Sequence, residues 1–372
     1  MEEPQAYLNG RFVPASTVAV SPVDAGFVQG ATVAEQLRTF GGKLFHLEDH
    51  LARLEQSLRI IDVEPGMARE RFAEVAVELV VRNRPLLDPA DDLGLSIFVT
   101  PGAYAGYAEP GPRRPTVCLH TYPLPFGHWA AKYRTGQSLV TSDVRQVPPQ
   151  CWPPALKCRS RMHYYLADGR AARIDPGARA LLLDQEGCVT EASTANVVAY
   201  HPEEGLISPP PQLVLEGISL AVVARLASGL GLGWARRGLR PEQIAAAHEV
   251  MLTSTPFCLL PVTRLDGRRI GSGEPGPVFG ELLAAWSELV GVDVRAQAER
   301  FAAREFYGLH GRVALASRQC SGCQSPGDTG TGETPVPPTT HPPPPATTHH
   351  APPTTRHHPP PAGGFSNCVG AG

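Results

Sequence analysis

"PPALKCRSRMHYYLAD", residues 153–168, joins a proline-broken loop to an amphipathic segment and holds a single lysine at the join. The paired prolines interrupt any regular element ahead of Lys157. After it, Met162, Tyr165 and Leu166 recur at helical spacing, which predicts a loop-to-helix junction at the lysine. A lysine so placed is either chemistry or decoration, and its surroundings in the chain have to decide.

Length and charge restrict the choice. The chain has 372 residues and a formal net charge of −3, enough for about two domains with sizeable cores and too little bias to attract nucleic acid. The opening "MEEPQAYLNG" lacks the basic-then-apolar order of a signal peptide, and no apolar run approaches the ~20 residues of a membrane span. The expectation is a soluble, cytoplasmic protein with no membrane or nucleic-acid partner. Cys118, Cys151, Cys158, Cys188 and Cys258 lie singly, and only Cys320 and Cys323 form a CxxC, so reduced, mostly buried thiols are expected.

The composition changes near the end. Residues 301–372 hold thirteen of the 39 prolines, and from Ser325 onward there is almost nothing apolar to bury, so residues 317–372 are expected to be a disordered Pro/Thr/His-rich tail. Its histidines (His341, His349, His350, His357 and His358) lack tetrahedral-site spacing, and no metal site is expected.

Ahead of the tail, strands and helices alternate. "QAYLNGRFVP" reads as a hairpin turning at Asn9-Gly10. "KLFHLEDHLARLEQSLRII" places Leu47, Leu51, Leu54 and Leu58 on one helical stripe, with His46, His50 and Arg53 on a second stripe that could equally be an ordinary solvated face. Strands follow at "GLSIFVT" and "TVCLHTYPL", and "PLPFGHWAAKY" breaks the pattern. That break divides a small N-terminal domain, 1–125, from a larger one, 126–292, with a terminal helix within 293–316. The second block carries strands at "ALLLD", "NVVAY", "EVMLTST" and "CLLPVTRLDG" and helices at "GISLAVVARLASGLGL" and "GPVFGELLAAWSELV". The fold class is α/β in the broad sense, α+β.

Three constellations in the second block bear on Lys157. In "CVTEASTANVVAY" Glu191 ends a strand and is followed by small residues that let a flat ligand approach the backbone. In "LVLEGISLAVVARLA" a glycine and Ile218-Ser219 open a long helix, whose free N–H groups and positive dipole end suit a phosphate. In "MLTSTPF" Thr253, Ser254 and Thr255 supply hydroxyls past an apolar strand. Singly, each is an ordinary strand end or helix start. Together with an arginine they are the parts of a pyridoxal-phosphate site.

Here the sequence resembles the fold-type IV (class IV) pyridoxal-phosphate enzymes, which include branched-chain and D-amino acid aminotransferases and aminodeoxychorismate lyases. The resemblance runs from about Tyr7 to Val292, through "LNGRFVP", "DAGFVQGATVAEQLRTFGGKLFHLEDHLARLEQSL", "LKCRSRMHYYLAD", "VTEASTANVV", "LEGIS" and "TSTPFCLLPVTRLDG". It implies a two-domain fold with the small domain covering a cofactor held by the large one, and a pocket completed by a homodimer. It implies pyridoxal 5'-phosphate as cofactor and transfer of an amino group between an amino acid, of the branched-chain class among others, and a 2-oxo acid. The alternatives are a lyase with the same lysine and cofactor, or a degenerate protein that only binds the cofactor.

Carried over residue by residue, the resemblance makes Lys157 the lysine that takes up the cofactor's aldehyde and then moves the proton. Glu191 becomes the carboxylate that keeps the pyridine nitrogen protonated. Arg53, the amides of Ile218 and Ser219, the Ser219 hydroxyl and Thr255 become the phosphate contacts. His50 supports its helix. Arg38 falls near the substrate pocket, as does Pro256, and Arg113 and Arg114 could approach a carboxylate. Two departures stand out: Met162 occupies the place of a tyrosine that branched-chain enzymes use, with Tyr164 two positions on, and Pro256 has no N–H to offer a substrate carboxylate.

Overall fold

Asn9 and Gly10 both have positive φ, 47° and 93°, as a two-residue I′ turn requires, and they reverse the chain between the antiparallel strands Gln5–Leu8 and Arg11–Pro14. The protein was described with a computed structural model, in which residues 3–107, 111 and 114–303 are described. Residues 304–372 lie outside them, and with them Cys320, Cys323, the tail histidines and most of the expected segment 293–316; Arg113 does as well.

Two sheets organise the chain. The first has six strands, in the order Arg11–Pro14, Gln5–Leu8, Thr116–Pro123, Leu93–Thr100, Val33–Phe40, Lys43–Leu44, and all neighbours are antiparallel. Helices Leu47–Ile60 and Arg69–Asn83 cover it, and the expected leucine stripe drives the packing: Leu51, Leu54 and Leu58 meet Phe72, Val75 and Leu79 over Leu37, Leu95 and Ile97. Each such side chain, taken from water, contributes roughly 1.5–3 kcal/mol.

The second sheet is mixed. Its path runs Trp234–Arg236, Gly205–Ser208, Asn196–His201, Glu249–Ser254, Cys258–Leu265, Gln137–Thr141, Arg179–Leu183, Val189–Ala192, with Arg268–Arg269 paired to Cys258–Leu265. Helices Ile218–Gly229 and Pro277–Val290 pack Val222, Val223, Leu282 and Trp286 into a core shared with Val197, Leu252 and Leu260. The antiparallel first sheet and the mixed second one make the fold α+β.

The lysine junction is as expected in position and different in facing. Helix Met162–Ile174 begins five residues after Lys157. It buries Ala167 and Ala171 against Val140, Ala180 and Leu182, because a face of alanines lets the helix lie close to the strands. Met162, Tyr165, Leu166 and Ile174 consequently stand on the outside. Helix Val294–Arg300 is capped by Asp293, whose carboxylate accepts from the Ala296 N–H at 2.8 Å. Among the described residues no helix is long and apolar enough to cross a membrane.

Candidate active site

The loop that carries Lys157 is fastened to the first sheet and its helix. The Lys157 N–H donates to Ser57 Oγ at 3.1 Å, and the Lys157 carbonyl accepts from the Ala34 N–H at 3.1 Å. Ser57 belongs to helix Leu47–Ile60 and Ala34 to strand Val33–Phe40, so both elements of the first half fix the lysine's backbone. Its amine opens on a cavity of about 350 Å³ between the two sheets, a size in the range of small-molecule sites, roughly 300–1,000 Å³. Burial pushes the amine down to about 7, although the Glu35 carboxylate pulls the other way. A lysine in this state keeps a large share of neutral, nucleophilic amine near pH 7.

Glu191 lines the same cavity from strand Val189–Ala192 and is 5 % exposed. It accepts from Gln146 Nε2 at 2.7 Å and from the Tyr164 hydroxyl. Burial raises its carboxyl to about 7, with those two hydrogen bonds and the Lys157 charge opposing the rise. A cationic ring placed against it would restore the carboxylate.

Arg53 stands on helix Leu47–Ile60 and is locked by a buried carboxylate. Its Nε and Nη2 donate to the two oxygens of Glu35 at 2.8 and 2.9 Å, and Nη1 donates to the Glu216 carbonyl at 2.9 Å. His50 Nδ1 lies 2.7 Å from Glu35 Oε2. Burial alone would raise the Glu35 carboxyl; the Arg53 guanidinium and then His50 outweigh it and hold the group well below the usual carboxylate range. Arg53 has five N–H groups and commits three to these partners, which leaves two for a ligand.

The helix Ile218–Gly229 starts at Gly217 with no side chain capping its first N–H groups, and Gly217, Ile218 and Ser219 line the cavity. A Cβ on Gly217 would stand 2.1 Å from Asn196 Oδ1, and Asn196 is itself tied to the Leu215 carbonyl at 2.8 Å, so this close approach admits only glycine. Thr255 and Pro256 close the same end.

A family model described as amino-transferase class IV matches residues 32–265. The chain belongs to the class IV aminotransferases. It is 30 % identical over 273 residues to a D-alanine aminotransferase of Bacillus licheniformis, covering 73 % of this chain and 91 % of that one. Against a D-alanine aminotransferase of Staphylococcus aureus (strain N315) the figures are 27 % over 291 residues, 76 % and 97 %. Among solved structures, the T.th. branched-chain amino acid aminotransferase complexed with N-(5'-phosphopyridoxyl)-L-glutamate has a TM-score of 0.69 at 26 % identity, covering 80 % of this chain and 96 % of that one. This class IV aminotransferase is therefore an enzyme that moves amino groups with pyridoxal 5'-phosphate.

The residues present fit that cofactor. One wall offers an amine for its aldehyde, another a buried carboxylate for its ring nitrogen, and one end the two remaining N–H groups of Arg53 with an uncapped helix start for its phosphate. The aminotransferase chain holds three lysines, Lys43, Lys132 and Lys157, and Lys157 alone of them lines the cavity.

Of the residues singled out in the sequence, Lys157, Glu191, Arg53, Ile218, Ser219, Thr255 and Pro256 come together around this cavity. Arg38 does not. Its guanidinium is buried over the Phe40 ring and donates to the Pro256 carbonyl at 2.9 Å and to Gln297 Oε1 at 2.8 Å, so it braces the Pro256 loop. Met162 faces out, and Tyr164, two positions further along the helix, turns its hydroxyl to Glu191. Glu35 and Gln146 were not singled out in the sequence. The signal for Glu35 was the one carboxylate in a strand flanked by apolar residues, with a helical arginine and histidine close behind in sequence.

Proposed function

We propose that Lys157, Glu191, Arg53, Ile218, Ser219 and Thr255 form the catalytic and cofactor-binding set, and that the amino donor is an amino acid with an apolar, branched-chain type of side chain. The observation that carries the assignment is that Lys157, Glu191 and Arg53 line one cavity; burial, which lowers the Lys157 amine to about 7, supports it. Val147, Trp152 and Leu156 line the cavity too and support an apolar side chain.

Pyridoxal 5'-phosphate, when bound, supplies an aldehyde for the amino group and a ring that takes up the electron pair released at the α-carbon. Arg53, oriented by Glu35, and the first N–H groups of helix Ile218–Gly229 would hold the phosphate and so fix the depth of the ring. The Lys157 amine would take the proton from the substrate's α-carbon and later give it back, because a base near pKa 7 both accepts and returns a proton at neutral pH. Glu191, supported by Gln146 and Tyr164, would keep a proton on the ring nitrogen.

We also propose that two chains assemble as a homodimer and that the chain divides into lobes at about residue 125. Met162, Tyr165 and Leu166, 68 %, 77 % and 42 % exposed, share one face of their helix and support the first, since such a group of large apolar side chains asks for cover. The separate cores over the two sheets support the second. A cytoplasmic location is proposed on the reduced thiols of Cys118 and Cys258.

Adding an apolar amino acid alone to the cofactor-loaded protein tests the function. Loss of the visible band with release of one 2-oxo acid per site is expected; pyruvate released without loss of the band would mean a lyase, and an unchanging band a protein that only binds.

A further inference from the structure

Two arginines line the cavity, and they differ in what they are bonded to. Arg53 is fastened to Glu35 and to a backbone carbonyl. Arg161 sits at the N-cap of helix Met162–Ile174, four residues after Lys157, and the single hydrogen bond of its side chain among the described residues runs from Nε to the Cys158 carbonyl at 3.3 Å. No described carboxylate lies within ion-pair reach of it. Both Nη atoms, with four N–H groups between them, have no described protein acceptor. The Arg161 charge is close enough to the Lys157 amine to push it further down.

A half-buried guanidinium without a counter-anion is destabilising unless a ligand provides one. The cavity's other needs are met elsewhere: Arg53 and the helix start serve a phosphate, and Glu191 serves a ring nitrogen. Pro256, on the Thr255 side, has no N–H, and its carbonyl is already taken by Arg38. Amino acids and 2-oxo acids share one further anionic group, the carboxylate on the reacting carbon. A guanidinium fork matches a carboxylate in two parallel bonds, which lysine cannot reproduce.

We propose that Arg161 holds the α-carboxylate of the amino-acid and 2-oxo acid substrates and thereby sets the reacting carbon against Lys157. This rests on the aminotransferase reading of the cavity. It makes Arg161 a selector for α-carboxylate compounds over simple amines.

The test uses the cofactor-loaded full chain and 4-methylvalerate, a carboxylate without an amino group, titrated by the visible spectrum of the bound cofactor. In Arg161→Gln the dissociation constant of 4-methylvalerate, and the KM of amino acid and 2-oxo acid alike, should rise on the order of 10–100-fold, as expected for loss of a charge-assisted bidentate contact. Cofactor content should stay that of the wild type. Arg161→Lys should fall between the two, which a mere disturbance of the helix start would not produce. A second readout is the titration of the Lys157 amine in the cofactor-free protein, which should move up from about 7 once the neighbouring cation is gone. Unchanged 4-methylvalerate binding in a cofactor-loaded Arg161→Gln protein would overturn the proposal and leave the aminotransferase reading standing. A wild-type protein that binds cofactor but shows neither carboxylate binding nor turnover would remove both.

Discussion

Glu35→Gln probes the buried support of the phosphate end. Glu35 is 0 % exposed and answers two cationic or cation-prone partners at once, Arg53 through both oxygens and His50 at 2.7 Å. Glutamine keeps the shape and one acceptor but removes the charge, which leaves the Arg53 guanidinium largely buried beside a neutral group. Breaking a buried pair from one side costs about 3–5 kcal/mol, and at about 2–4 °C per kcal/mol for a chain of this order the cofactor-free protein should melt on the order of 10 °C lower. Cofactor or millimolar inorganic phosphate brings a replacement anion to Arg53, so each should raise the variant's melting temperature by more than it raises the wild type's. The assay is thermal denaturation followed by circular dichroism, with and without each ligand. A cofactor-free variant melting within a degree or two of the wild type, or one stabilised no more than the wild type by phosphate, would mean that Glu35 does not hold Arg53 in place.

Other outcomes follow from the same geometry. The Glu35 carboxyl is depressed in the folded state, so its stabilisation is complete above the ordinary value of 4.5 and lost as pH falls below it; denaturant titrations from pH 6 to 3 should show a steeper loss for wild type than for Glu35→Gln. The Glu191 carboxyl is raised from 4.5 to about 7, so in the cofactor-free protein its contribution is complete below 4.5 and lost as pH rises through 7, a dependence Glu191→Gln should lack. In the loaded enzyme Glu191→Gln should retain cofactor by absorbance while turnover falls by at least tenfold; wild-type turnover would contradict its role at the ring nitrogen. Light scattering should give twice the chain mass for wild type, and replacing Met162 and Tyr165 together by serine should shift it towards one chain.

The elements that could be read from sequence are those with one buried face. Asn9-Gly10 announced its hairpin, and the leucines at 51, 54 and 58 their helix, because turn chemistry and a single apolar stripe leave little choice. Strand Val33–Phe40 gave no alternation, since seven of its eight residues are buried; the polar ones among them, Glu35, Arg38 and Thr39, are inside because each finds its hydrogen-bond partners across the fold. Helix Arg69–Asn83 went unremarked between two clearer elements. Lys157, Glu191 and Arg53 were legible only in combination. Arg38 is close to the cavity wall without lining it, because spacing can bring a residue near a pocket without telling which side of the wall it occupies. Tyr164 was undervalued because two positions along a helix turn a side chain by about 200°, enough to place it in the cavity while Met162 faces solvent.

Lys157 is the residue proposed to take the cofactor. Borohydride reduction of the loaded enzyme, followed by digestion and mass spectrometry, tests it directly, because the sequence offers three lysines and the cavity one. A single adduct on the peptide containing Lys157, absent from Lys157→Ala, is the expected result; an adduct on Lys43 or Lys132, or one that persists in Lys157→Ala, would contradict the account.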